Sequence, residues 1–162
     1  MPVMDIEKDL PKAKMTIVSE FDAGVDRVWE LWSDPRLLEK WWGPPGYPAT
    51  VVDHELSAGG VVTYYMTSPE GDKFWGRWDV KTVEGPNLLE VEDSFAEEGG
   101  KANADMPSGH MRIEIEAIDG AADRTRMTVI STSASPEDLA KVLEMGQEEG
   151  MRQSFGQIDA LL

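Results

Sequence analysis

The sequence has no cysteine and only two histidines among its 162 residues. Without cysteine, the protein can form no disulfide and has no thiol nucleophile, Cys-ligated zinc or iron–sulfur cluster. The absence also fits a reducing compartment, and we expect a cytoplasmic protein. His54 and His110 lack the spacing of a metal-binding pair, and neither a glycine-rich phosphate loop nor a Gly-x-Ser-x-Gly motif occurs. We therefore expect neither a metal nor another cofactor.

Basic residues are scarce, because 15 lysines and arginines stand against 31 acidic residues, for a net charge of -16. Such a surface repels nucleic-acid backbones and anionic headgroups, so we expect no nucleic-acid partner. The chain also lacks any apolar run near the ~20 residues that a membrane helix needs, which predicts no membrane insertion. With 41% apolar residues, the length suits one ordinary domain with room for a core and a cavity.

Tryptophan, in contrast, is concentrated in one segment, because four of the six lie between positions 29 and 42. Side chains this large must be buried or must bind something. An apolar run at helical spacing, residues 25–32, meets Asp34-Pro35, where a capping residue and a proline start a new helix. The second run ends in Trp41-Trp42 and is stopped by the Gly-Pro-Pro-Gly of residues 43–46. This segment therefore predicts two short helices joined at a proline.

Strands account for most of the remaining chain. Apolar alternation and turn residues predict strands at 15–21, 47–56, 61–67, 73–83, 88–95, 111–117 and 124–132. Ser135-Pro136 then starts a helix that we expect to run to the C-terminus. Turn-linked strands form an antiparallel sheet, and the long helix must cover its apolar face. The predicted class is α+β, with residues 1–14 as a loose or edge-lying lead-in and residues 15–162 as one domain.

Several of these motifs together resemble a known family. They are Asp34-Pro35, Trp41-Trp42-Gly43-Pro44, Gly59-Gly60, Gly76-Arg77-Trp78, residues 123–128 (DRTRMT) and residues 149–155 (EGMRQSF), with Ile158 and Leu161. The chain is similar, over residues 15–162, to the START-like (SRPBCC) superfamily, and most of all to its branch of homologues of the heat-shock chaperone ATPase activator. It departs from that pattern at Met151, where family members often carry Trp.

The resemblance implies a helix-grip fold, in which a curved antiparallel sheet and a long C-terminal helix enclose an apolar cavity. Members of the superfamily bind lipids, sterols, polyketides or hormones there. A few catalyse cyclisation, and some regulate chaperones or confer antibiotic resistance by binding. A small apolar or aromatic molecule is therefore the expected partner.

Residues from four parts of the chain are predicted to line this cavity. They are Trp42, Val62, Tyr64, Met66, Trp78, Ile113, Ile115, Met127, Val129, Met151 and Phe155. Small residues also recur every fourth position in the last helix, at Gly146, Gly150 and Ser154. Glycine inside a helix costs up to about 1 kcal/mol relative to alanine, so the repeat needs a reason. Either the small side chains leave open volume, or they let the helix lie close against the sheet.

Three functions follow from these observations. The first is a carrier, sensor or sequestering protein for a small apolar or aromatic ligand. The second is a cyclase- or hydrolase-like enzyme using acids in the cavity or His110, and it requires a buried ionisable group with a shifted pKa. Asp93 and Arg77 are candidates if they face the interior of the sheet. The third is a chaperone-regulating or other protein-binding module, and exposed edge strands could also pair two copies as a homodimer.

Overall fold

The computed structural model describes residues 3–162, with side chains from residue 5 onward. Eight antiparallel strands form one sheet in the order β1-β2-β8-β7-β6-β5-β4-β3. They are β1 (Val3–Asp9), β2 (Lys14–Phe21), β3 (Ala49–His54), β4 (Val61–Thr67), β5 (Lys73–Glu84), β6 (Leu88–Ala96), β7 (Ser108–Ala117) and β8 (Thr125–Ser133). The first strand lies at the edge beside β2, so much of the predicted lead-in is an edge strand.

The helices α1 (Val25–Ser33) and α2 (Pro35–Trp41) connect β2, near one edge of the sheet, to β3 at the opposite edge. Asp34 caps α2 by accepting a hydrogen bond from the backbone N–H of Arg36 at 2.9 Å, and Pro35 occupies the first turn. Trp32 and Trp41 are fully buried, and their rings pack edge to face with centroids 4.8 Å apart. Trp42 is also buried, so three of the four clustered tryptophans belong to the core between these helices and the sheet.

The C-terminal segment contains two helices where the sequence predicts one. Ser135 caps α3 (Pro136–Glu144), α4 spans Gln147–Phe155, and a single 3-10 turn closes the chain at Ile158–Leu161. The break lies at Gly146, whose φ of 89° is left-handed. A helix cannot continue through that conformation, which glycine adopts at little cost.

The predicted α+β helix-grip fold is confirmed, with its long helix divided at Gly146. The alternation of side chains along a strand explains which face is buried. In β7, Met111, Ile113 and Ile115 are buried, while the residues between them stay partly exposed. Within residues 3–162, no helix is long and apolar enough to span a bilayer.

Candidate functional site

A cavity of about 320 Å³ lies between the sheet and α4. Aromatic and methionine side chains make up much of its wall, and they include Trp42, Tyr64, Met66, Phe74, Phe95, Met111, Met145, Met151 and Phe155. The volume lies near the lower end of the ~300–1,000 Å³ range of small-molecule pockets. The space is therefore large enough for a compact organic molecule.

Hydrogen bonds fix α4 beside the tryptophan segment. Ser154 Oγ donates to the carbonyl of Trp42 at 3.0 Å. One turn later, the side-chain amide of Gln157 donates to the carbonyl of Gly43 at 2.7 Å and to that of Trp41 at 3.2 Å. These bonds hold the C-terminal end of α4 at the helical end of the sheet and set the height of the cavity.

Small residues keep the cavity open. A Cβ atom added to Gly146 or Gly150 would meet no other atom within 4 Å, although both residues line the space. On the sheet, Gly109 pairs with Asp93 in the neighbouring strand, and it allows close backbone packing there, because an added Cβ would lie 2.8 Å from the carbonyl oxygen of Thr132. The glycines of the C-terminal segment therefore leave open volume and are not sites of close contact with the sheet.

The residues predicted to line the cavity divide into two groups. Trp42, Tyr64, Met66, Met151 and Phe155 border it. Val62, Trp78, Ile113, Ile115, Met127 and Val129 lie in the core, each 1% exposed or less, and do not border it. Position along the strands separates the groups, because the core residues lie where the first two helices cover the sheet. There Trp32 donates from Nε1 to the sulfur of Met127 at 3.3 Å.

A carboxyl group stands in this apolar wall. Asp93 is on the inward side of β6, in the same alternation as Leu89 and Val91, and it lines the cavity. Burial raises the pKa of Asp93 from 3.8 to about 7, partly offset by the indole N–H of Trp78. The group therefore changes its charge near neutral pH, because water cannot fully solvate the carboxylate.

Tyr64 stands beside Asp93. Burial and the negative charge of Asp93 raise the pKa of Tyr64 well above its usual range, so the hydroxyl stays protonated. Its ring lies directly over Gly76, where an added Cβ would come within 2.3 Å of the ring and hydroxyl. The indole Nε1 atoms of Trp42 and Trp78 are buried and make no hydrogen bond of good geometry to any described group. They nevertheless lie close enough to lower the pKa of Tyr64.

The other polar candidates face away from the cavity. Arg77 points to the outer face of β5 and pairs with Asp79 at 3.0 Å. The ring of His110 is held by Glu92 and Glu90, both at 2.9 Å. Partial burial lowers the pKa of His110, but these two hydrogen bonds outweigh it and the pKa rises overall. His110 thus contributes its backbone, and not its ring, to the cavity wall.

The role of Asp93 was open from the sequence, although one signal was present. An acid at the third position of the alternation Leu89-x-Val91-x-Asp93-x-Phe95 lies on the apolar face of the strand. Parity alone does not say whether such an acid meets a cavity, a partner or solvent beyond the sheet. That depends on Gly109 and on the position of α4.

Large apolar side chains surround the mouth of the cavity. Phe74 is 56% exposed and Met145 is 52% exposed, and both line it. Tyr47, also exposed, lies with its ring 6.5 Å from that of Phe74. The mouth of the cavity is therefore mainly apolar.

Comparison with known proteins identifies the family. The family described as Activator of Hsp90 ATPase homolog 1-like protein matches residues 22–162. A Mycobacterium smegmatis protein of known crystal structure is 46% identical, with a TM-score of 0.90 over 99% of this chain and 97% of that chain. A solution structure from Arthrobacter aurescens is 47% identical, with a TM-score of 0.91 over 98% of this chain and 90% of that chain. A third, from Staphylococcus epidermidis, is 28% identical, with a TM-score of 0.83 over 98% and 93%.

No protein with a curated description matches the chain. The family match covers most of the sequence, including both short helices, the cavity strands and α4. The chain therefore belongs to the Activator of Hsp90 ATPase homolog 1-like family, a branch of the START-like superfamily that its motifs resemble.

Proposed function

We propose that the protein binds a small, mainly apolar or aromatic molecule in the cavity between sheet and α4, as a carrier, sensor or sequestering protein. The observation that carries this proposal is the open volume of about 320 Å³ inside an otherwise close-packed domain. Packed cores contain few voids larger than a water molecule, so a space of this size needs a use. The chaperone partner and the homodimer expected from the sequence stay predictions.

Native mass spectrometry of the purified protein is the first test. A mass that disappears on denaturation supports a retained ligand and reports its class. A cavity-filling variant makes the test specific, because Gly150→Leu places a side chain in the open volume. Gln153→Leu is the matched control, since it adds the same residue to the exposed side of the same helix.

The fluorescent probe N-phenyl-1-naphthylamine, which is neutral at the assay pH, serves when no ligand is retained. We expect saturable binding to the wild type and to Gln153→Leu. Binding to Gly150→Leu should be at least about tenfold weaker, since losing contact with a few buried carbon atoms costs on the order of 1.4 kcal/mol. Equal binding by all three proteins would show that the probe does not use the cavity, and would count against the proposal.

Acid–base catalysis on the bound molecule is a second candidate, favoured by Asp93. A carboxyl group with a pKa of about 7 can both give and accept a proton at neutral pH, as a general acid or base requires. The cyclase- or hydrolase-like alternative needs such a group inside the cavity. Asp93→Asn separates the two functions: an enzyme would retain an unconverted molecule of different mass in this variant, whereas a carrier would retain the same molecule as the wild type, in equal or smaller amount.

A further inference from the structure

The cavity contains one acid and no base. Asp93 is the acidic side chain among its lining residues, and neither lysine nor arginine borders the space in the described part of the chain. Arg77 pairs with Asp79 on the outer face of the sheet. The ring of His110 also lies on that face, between two glutamates. A carboxylate in the cavity wall therefore has no cationic partner of its own.

Burial disfavours the ionised form of Asp93, but one group behind it acts in the opposite direction. The indole N–H of Trp78 is fully buried and acts on Asp93 in the direction that stabilises the carboxylate. The hydroxyl of Tyr64 stays protonated beside the same carboxyl group. An indole N–H donates a hydrogen bond but carries no charge, so Trp78 favours the carboxylate without neutralising it. The Trp78 donor is also too deeply buried to contact a ligand.

The rest of the cavity suits the apolar part of a cation. The rings of Trp42, Tyr64 and Phe155 border the space, and aromatic rings attract cations through their electron-rich faces. The net charge of -16 also raises the concentration of small cations near the protein. A partner of opposite charge stabilises a buried carboxylate, and because no described lysine or arginine borders this cavity, the ligand is the available source of one.

We propose that the ligand is a hydrophobic amine, whose ammonium group pairs with Asp93 while its hydrocarbon or aromatic part fills the space against α4. This inference rests on the proposed function, because it names the class of molecule that the same cavity takes. A neutral ligand that accepts a hydrogen bond from protonated Asp93 is the competing arrangement.

Three probes of equal length and different charge test the inference: 4-phenylbutylamine, 4-phenylbutan-1-ol and 4-phenylbutyrate. The amine stays protonated at pH 8, like the side chain of lysine. Calorimetric titration of the wild type at pH 8 should give the order amine, alcohol, acid. The amine should bind about ten- to a hundredfold more tightly than the alcohol, the usual value of a hydrogen bond to a charged group.

Two variants assign the preference. Asp93→Asn keeps the shape and removes the charge, so it should bring the amine to the affinity of the alcohol and leave the alcohol unchanged. Gly150→Leu should weaken all three probes, because it fills the space that they share. Gln153→Leu should bind all three as the wild type does.

A pH series gives a second measurement that needs no variant. Tyr64 is the titratable group that faces Asp93, whereas β7, β8 and α4 present the uncharged Gly109, Ser131 and Ser154 to the same space. Because the pKa of Asp93 is about 7, lowering the pH from 8 to 6 should weaken amine binding about tenfold. Binding of the alcohol should not change.

The possible results distinguish a failure of this inference from a failure of the proposed ligand-binding function. An alcohol that binds as tightly as the amine, or an amine preference that survives in Asp93→Asn and at pH 6, would overturn the inference and leave apolar binding intact. Tightest binding by the acid would overturn it as well. Failure of all three probes to bind, together with equal binding of N-phenyl-1-naphthylamine by the wild type and Gly150→Leu, would count against both proposals.

Discussion

Replacing Asp93 by asparagine should stabilise the unliganded protein, which is an unusual result for a residue in a cavity wall. Most substitutions at buried positions destabilise. Here the native carboxylate has no cationic partner and its pKa is raised from 3.8 to about 7. At ~1.4 kcal/mol per pKa unit, this shift corresponds to a cost of roughly 4 kcal/mol for the ionised group.

The cost depends on pH in a defined direction. Between pH 4 and 7, the folded protein binds a proton at Asp93 that the unfolded chain has already lost, so stability falls as the pH rises. Below pH 4 the group costs nothing, and above pH 7 the cost is complete. Since part of the Asp93 surface faces the cavity, water there reduces the cost, and we expect Asp93→Asn to gain about 2 to 4 kcal/mol at pH 8.

Urea unfolding of the wild type and of Asp93→Asn at pH 8, 6 and 4.5 measures this gain. Asp105→Asn is the matched control, because it removes the same charge from an exposed loop position of an already acidic protein. We expect the gain of Asp93→Asn to shrink toward zero at pH 4.5, and that of the control to stay small throughout. A gain of the same size at all three pH values, or none at pH 8, would refute a desolvated carboxylate.

Four further substitutions test the glycines and the outer face of the sheet. In urea titrations, Gly150→Ala should raise the free energy of unfolding by up to about 1 kcal/mol, because the site is open and alanine favours the helix. Gly146→Ala should instead lower the free energy of unfolding by about 1 to 2 kcal/mol, since φ is 89° there. Gly76→Ala should destabilise by about 1 to 3 kcal/mol through its clash with the aromatic ring on the paired residue of β4, and an unchanged midpoint of thermal unfolding would contradict this packing. Glu92→Gln should lower the pKa of His110 in an NMR titration, because the carboxylate accepts a hydrogen bond from the protonated ring, and an unmoved midpoint would show that the bond does not form in solution.

Local sequence patterns predicted much of the fold. The predicted strands agree with β2 to β8 to within a few residues at each end, because alternation records which face of a strand is buried. The cap at Asp34 and the proline after it set the boundary between α1 and α2. The break in the C-terminal helix was not predicted, because the sequence does not say whether Gly146 takes a helical or a left-handed conformation.

The outline of the cavity could not be predicted from the sequence. Trp42, Tyr64 and Phe155 border it as expected, whereas Trp78 and Ile113 have the same inward parity and lie in the core. The alternation along a strand predicts the face of the sheet on which a side chain lies. It does not predict which part of that face a helix covers. That distribution depends on how far α1 and α2 reach across the sheet.

The sequence by itself determined the acidic, cysteine-free character of the protein through its composition. Its local patterns indicated the class of fold, and its motifs indicated the family through their resemblance to known members. Only the tertiary structure decided that Gly146 and Gly150 leave open space, that the ring of His110 faces outward and that Asp93 faces a cavity not lined by lysine or arginine. Each of these depends on residues far apart in sequence meeting across the sheet. The environment of a side chain, and with it the pKa of a carboxyl group, exists only once those elements have packed.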